Sequence, residues 1–152
     1  MKRSAGILLY KKENNEIFVL LAHFGGPYWQ NKEIGGWSLQ KGVVEECEKI
    51  LTAARREVAE ETNLKISDEI FYLASKKISR KKLVIMFYSY FDGDLSNFKS
   101  NTFWLEWPKH SGQLVEFPEM DQIRWFSLRE AKKYIHPTQR FFLERLEEKL
   151  QV

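Results

Sequence analysis

The stretch from residue 42 to 64, GVVEECEKILTAARREVAEETNL, constrains this chain more than any other. Its composition predicts one helix with a lead-in loop, ending at Thr62, with Asn63 as the left-handed residue that closes it. A helix turns by about 100° per residue, so positions four apart share a face. On that wheel Cys47, Ile50, Leu51, Ala54 and Val58 form an apolar stripe that must meet a core. Glu57 and Glu61 fall along one edge of the stripe, and Glu60 lies further round. Like charges at this spacing repel, and a helix selected only for stability would set Lys or Arg against them. Lys49 and Arg56 fall elsewhere on the wheel. If the helix is continuous, Glu48 lies about 180° from Glu57, which suits an ion pair, a cap or an outer-shell role.

Carboxylates beside a buried stripe are costly unless a cation neutralises them, and hard oxygen ligands are what Mg²⁺ or Mn²⁺ requires. Ala53, one turn before Glu57, leaves space there, and Gly42 can bring a backbone carbonyl to the same point. An arbitrary run of Glu is usually a solvated face. The fixed spacing separates this run from that case: Gly42, Glu48, Arg56, Glu57, Val58, Glu60, Glu61 and Leu64 fall where the Nudix box of the Nudix hydrolases has its glycine, glutamates, arginine and aliphatics. The segment resembles that box at every place except the last glycine, which is Asn63, a residue that also tolerates the left-handed conformation. Upstream, Gln40 replaces the proline that commonly precedes Lys-Gly, and Val43 replaces an acidic residue.

The resemblance implies an α/β/α sandwich with a mixed β-sheet, an α/β fold with the box helix on one face and the C-terminal helices on the other. It implies Glu57, Glu60 and Glu61 as ligands of Mg²⁺ or Mn²⁺, assisted by the Gly42 carbonyl, with Arg56 orienting the carboxylates. Nudix enzymes often bring one more glutamate from a distal loop, and Glu119 is the first choice over Glu116. The general base is Glu57 or Glu119.

At 152 residues, 43% of them hydrophobic and 14% aromatic, the chain is long enough to bury a sizeable core as a single domain, 1–152. Its one cysteine, Cys47, excludes an internal disulfide and a zinc pattern, reads as a packing residue and fits a cytoplasmic protein. The N-terminal apolar run is too short for a signal peptide or a membrane span. A net charge of +3 suits an anionic substrate and is small for a dedicated nucleic-acid binder.

In chain order, residues 4–11 and 16–23 are aliphatic runs separated by a polar turn and predict a strand pair, the first strand central. Its opening resembles the first Nudix strand, which makes Ser4, Ala5 and Gly6 candidates for the floor under the substrate. Residues 25–42 form a Gly- and aromatic-rich functional loop, with a short strand over 37–41 entering the box. Lys41 can reach a substrate phosphate as a point charge. His23, a lone histidine after a strand, reads as structural. Two further strands, 68–78 and 82–91, flank a basic turn, the second apolar enough to be buried on both faces. The 92–121 stretch is too long for an ordinary connection and offers Trp104 as a base-stacking aromatic. A strand at 122–128 and two helices, the second opened by Pro137, complete the chain.

With the carboxylates it sets on the helix, the resemblance implies hydrolysis of the pyrophosphate in a nucleoside diphosphate linked to another group. The chain resembles a bacterial Nudix subgroup near the diadenosine polyphosphate hydrolases, which implies a dinucleoside polyphosphate such as Ap4A, or a nucleoside triphosphate, as the small-molecule partner. Two other functions share such a helix. An RNA 5′ pyrophosphohydrolase would need an extended basic path; a non-catalytic nucleotide or ADP-ribose sensor tends to lose box carboxylates, which this chain keeps.

Overall fold

The computed structural model describes residues 1–150. Two long strands, β1 (Lys2–Glu13) and β2 (Glu16–Phe24), are joined by a tight turn. Asn14 and Asn15 both have positive φ, 52° and 64°, as a two-residue hairpin with primed geometry needs. The two strands pair only from Tyr10↔Val19 to Glu13↔Glu16 and then diverge. Into the gap run β3 (Trp37–Ser38), which pairs with β2, and β4 (Gln40–Val43), which pairs with β1 from Ser4↔Val43 to Ile7↔Gln40. The single strand expected over 37–41 is thus broken at Leu39, where the chain crosses from one side of the fork to the other.

β5 (Phe71–Ser79) and β6 (Lys82–Tyr90) form an antiparallel hairpin, and β6 runs parallel to β1 along its whole length. β9 (Met120–Ser127) covers the other side of β2. β1 is therefore central, and its one parallel neighbour makes the sheet mixed. β6 is buried at Val84, Ile85, Met86 and Ser89 and half-buried or exposed elsewhere, so it is not covered on both faces along its length. The long 92–121 connection holds its own ribbon, β7 (Thr102–Glu106) paired with β8 (Leu114–Pro118) outside the main sheet.

Alternation along β1 sorts side chains to two faces. Ala5, Ile7 and Leu9 pack with Ala53, Ala54 and Val58 of α1 (Ile50–Thr62). Leu8 packs on the other face with Val84, Met86, Trp37 and residues of α2 (Leu128–Tyr134) and α3 (Arg140–Leu150). The result is an α/β/α sandwich. Pro137 opens a 3₁₀ turn, Pro137–Gln139, that leads into α3; Gln139 Oε1 accepts the Leu39 N–H at 2.8 Å and ties this turn to the break between β3 and β4.

α1 is shorter at its start than the apolar pattern suggests. Cys47 sits in the lead-in turn with φ 64° and is exposed, so it is not a packing residue, and Leu51 is exposed as well. The buried stripe is Ala53, Ala54, Val58, Glu61 and Thr62. The helix ends where expected: Asn63 has φ 60° and its N–H donates to Ala59 O at 2.9 Å. Asparagine also supplies what glycine lacks, since its Nδ2 donates to Asn97 O at 3.0 Å and ties down the 92–101 segment.

Candidate functional site

α1 packs against β4. Gly42 lies directly beneath Glu57: any Cβ there would collide with the Glu57 carboxylate. One turn on, the Glu61 carboxylate lies against the Lys41 backbone N–H. Glycine at 42 is thus required by the close approach of a carboxylate.

Glu61 is 5% exposed, and its Oε1 is buried with no hydrogen-bond partner. A buried polar atom left unpaired costs about 1–3 kcal/mol, more if charged. Burial pushes the Glu61 carboxyl well above its ordinary 4.5, and the negative charges of Glu57 and Glu119 push the same way against the pull of Lys41. Glu57 is also raised, first by burial and then by Glu60 and Glu119, although Arg56 opposes the shift. Glu119 is raised by burial and by Glu60. Each of these acids thus feels the charge of at least one other, and the backbone of the distal loop reaches the helix through Asn101, which accepts the Glu119 N–H and donates its own N–H to Glu60 O.

Arg56 holds the periphery of this group. Its Nε and Nη2 donate to the two oxygens of Glu48 at 2.9 and 3.1 Å, Nη1 donates to Glu57 Oε1 at 2.8 Å and Glu60 Oε2 at 3.1 Å, and Nη2 reaches Val43 O at 2.9 Å. On the wheel Arg56 falls away from Glu57, yet its long guanidinium reaches neighbours that its Cα does not face. Glu48 is not opposite Glu57 on one helix; it lies in the lead-in turn, where it also accepts the Glu45 N–H at 2.9 Å. Arg56, first of all, and then the Glu45 N–H hold the Glu48 carboxyl below its ordinary value.

The other predicted residues are placed unequally. Lys41 pairs with Gly6, and a Cβ on Gly6 would meet Lys41 Cβ at 2.6 Å, which gives the small residue there a packing reason. Burial, then Lys82, pushes the Lys41 amine down, against the opposing pull of Glu61 and Glu57. Ser4 is buried in β1 between Val43 and Val84, and Ala5 is packed under α1. Trp104 is 63% exposed on the ribbon; the neighbouring Phe103 is the ring that reaches the main body, at Gly26. Glu116 stays on the ribbon, bonded by Thr102 Oγ1.

Three features were not readable from the sequence. Lys99 and Asn101 donate their N–H groups to Thr62 O and Glu60 O, at 3.1 and 2.9 Å, and so cap the end of α1 from a remote loop. His23 is buried and bridges Asp121 Oδ1, at 2.9 Å, to Lys32 O, at 2.7 Å. Trp29, Phe24 and His136 form an aromatic group beside the 25–36 loop, with ring centroids 4.6–6.4 Å apart. The only sequence signal for the last was the density of aromatics in that loop.

The donor set is one of hard oxygens, Glu61 Oε1 lacks a partner, and Gly42 leaves its space to a carboxylate; these residues fit Mg²⁺ or Mn²⁺. Among the described residues no three acids, imidazoles or thiolates already stand close enough to hold one ion together. Glu57 and Glu60 are instead turned to Arg56.

An α/β/α sandwich with a glutamate-bearing helix over a glycine strand defines a class, and comparison with known proteins gives its name. The NUDIX domain matches residues 1–146, and the chain belongs to the Nudix family. No curated protein matches it in sequence. Among solved structures, the NUDIX domain of Shewanella oneidensis NrtR, complexed with ADP ribose, superposes with a TM-score of 0.69 at 14% identity, covering 98% of this chain and 88% of that one. A C. elegans Ap4A hydrolase in a binary complex gives 0.62 at 19% identity, covering 97% of each chain. A MutT protein from Methanosarcina mazei Go1 gives 0.60 at 22% identity, covering 99% and 96%. At these identities the likeness is one of fold. Among the described residues no helix is long and apolar enough to cross a membrane.

Proposed function

We propose that this protein is a Mg²⁺- or Mn²⁺-dependent pyrophosphohydrolase that cleaves the pyrophosphate of a nucleoside diphosphate linked to another group. A dinucleoside polyphosphate such as Ap4A, or a nucleoside triphosphate, is the substrate. The observation that carries this reading is the buried, unpartnered Glu61 Oε1 beside two other carboxylates, Glu57 and Glu119, that repel it. Such an arrangement is unfavourable until a cation joins it.

Glu57, Glu60, Glu61 and the Gly42 carbonyl would hold the metal, with Glu57 and Glu60 turning from the guanidinium to do so. The bound metal supplies charge neutralisation at the phosphoryl oxygens and a lower pKa for the attacking water. Arg56, held charged by Glu48 first and then by Glu57 and Glu60, keeps the helix acids oriented. Water attacks phosphorus, the bond to the bridging oxygen breaks, and Glu119 or Glu57 takes the proton. Lys41 supplies positive charge to the phosphate chain, and Trp104 offers a ring to a base. An Ap4A hydrolase and a MutT protein sharing this fold support the reading.

A second reading, a nucleotide or ADP-ribose sensor without turnover, is favoured by the fold likeness to the ADP-ribose complex. Product analysis separates the two. Diadenosine polyphosphates, nucleoside triphosphates, ADP-ribose and triphosphorylated RNA are each incubated with the protein in Mg²⁺, in Mn²⁺ and in EDTA. Metal-dependent turnover of one class that Glu61→Gln removes is expected. ADP-ribose binding with no turnover of any member overturns the enzyme in favour of the sensor, and preference for the RNA would replace the substrate.

A further inference from the structure

Glu119 stands where three backbone segments meet. Its N–H donates to Asn101 O at 2.8 Å, and its carbonyl accepts the Gly25 N–H at 2.8 Å. Asn101 in turn donates to Glu60 O at 2.9 Å, on the box helix itself. A continuous run of backbone hydrogen bonds therefore links α1, the ribbon stem and the 25–36 loop, with the distal acid in the middle. Both stems of the ribbon enter this junction, at Asn101–Thr102 and Pro118–Glu119, so the position of Glu119 is set here and not by the ribbon tip.

One side chain closes the junction. Ser100 Oγ donates to Asn101 O at 2.6 Å and accepts the Met120 N–H at 3.0 Å. It thereby clasps the residue after Glu119 to the carbonyl that already holds the Glu119 amide. Serine suits the task because a hydroxyl donates and accepts at once. On the other side Gly25 leaves room for Pro118, since a Cβ there would collide with the Pro118 carbonyl oxygen.

The geometry points to Ser100 as a positioning residue for the reaction, setting the Glu119 carboxylate against Glu57, Glu60 and Glu61 through the Asn101 carbonyl and the Met120 amide. This rests on Glu119 being the distal acid of the proposed hydrolase. A misplacement of about 1 Å can cost up to about 100-fold in rate, and one lost clasp on a junction otherwise held by backbone should cost roughly tenfold.

Turnover of diadenosine tetraphosphate, ATP and ADP-ribose in Mg²⁺ is measured for wild type, Ser100→Ala, Ser100→Thr, Glu119→Gln and the double variant Ser100→Ala/Glu119→Gln. Ser100→Ala lowers kcat roughly tenfold with KM within about twofold, and Ser100→Thr restores most of it. In the Glu119→Gln background Ser100→Ala has no further effect, because residues acting through one group are not additive. An equal loss in both backgrounds overturns the inference. If Glu119→Gln itself keeps full turnover, the role of Glu119 fails and this inference falls with it. If Glu119→Gln is impaired while Ser100→Ala is not, only the inference fails. Amide exchange gives a readout that needs no substrate: Ser100→Ala speeds exchange at Met120 and Glu119, and unchanged protection there overturns the clasp.

Discussion

The two faces of the sheet are built from different material. Against α2 and α3 the sheet buries Trp37, Ile135, Phe142, Leu143 and Leu146 completely, together with Leu8 and Met86. Against α1 it buries Ala53, Ala54, Val58 and Leu64 over Ala5, Ile7 and Leu9. Small side chains let α1 sit low enough for the Glu57 carboxylate to rest on Gly42. They also remove less apolar area from water, so the site face contributes less per residue than the opposite face, at about 25 cal/mol per Å². The lesson is a division of labour: one face stabilises the sheet so that the other can carry mutually repelling acids.

That contrast can be broken from either side. The largest effect should come from the packing face, where Phe142→Ala costs about 3–5 kcal/mol of stability, read by denaturant unfolding, and leaves kcat near wild type. A large loss of kcat in the folded variant would mean the faces are coupled. Next, Glu61→Gln should lower turnover roughly 100-fold or more, as expected for removing one ligand from a metal that supplies several kcal/mol. Its metal-free melting temperature should hold or rise, because the buried unpaired carboxylate is gone. Full activity would end the ligand assignment.

Arg56→Lys sharpens the comparison at the rim of the site. A lysine cannot span Glu48, Glu57, Glu60 and Val43 O as the guanidinium does, so kcat/KM should fall roughly 10- to 100-fold while the protein stays folded. Wild-type kinetics would make the fork a surface ion pair only.

The smallest effect is a pH slope. Glu61 has a folded-state pKa raised above its ordinary 4.5, and Glu57 and Glu119 are raised too. The folded chain therefore holds protons that the unfolded chain releases, and this contribution is fully present below pH 4.5 and lost as pH rises through the raised values. Melting curves in EDTA should show stability declining over that window, less so in Glu61→Gln, with Mg²⁺ removing the decline. A flat wild-type profile would contradict the buried charge on the site face.

The strands and helices were legible because alternation and helical periodicity are local properties. β1, β2, β5, β6, β9 and the two C-terminal helices all fall close to where the pattern puts them, and α1 ends where the pattern ends it. Legibility failed where a boundary or a reach depends on neighbours. Cys47 and Leu51 match an apolar stripe on paper, yet the lead-in turn at φ 64° and the open rim of α1 leave both exposed. Trp104 had the composition of a contact residue, and the ribbon turns it to solvent while Phe103 faces the body.

By itself the sequence determined the box: which acids lie four apart, where Asn63 stops the helix, and which glycine must lie beside a carboxylate. Those are consequences of helix geometry and of residue size, and both are fixed by covalent order. Only the tertiary structure decided that the Glu119 backbone meets α1 through Asn101, that Arg56 draws together Glu48, Glu57 and Glu60, and that Lys99 and Asn101 cap α1 from a loop far along the chain. These depend on where the unpaired backbone groups of one segment find partners in another. Local spacing does not encode that match, because it is settled only when the sheet closes and those groups must be satisfied.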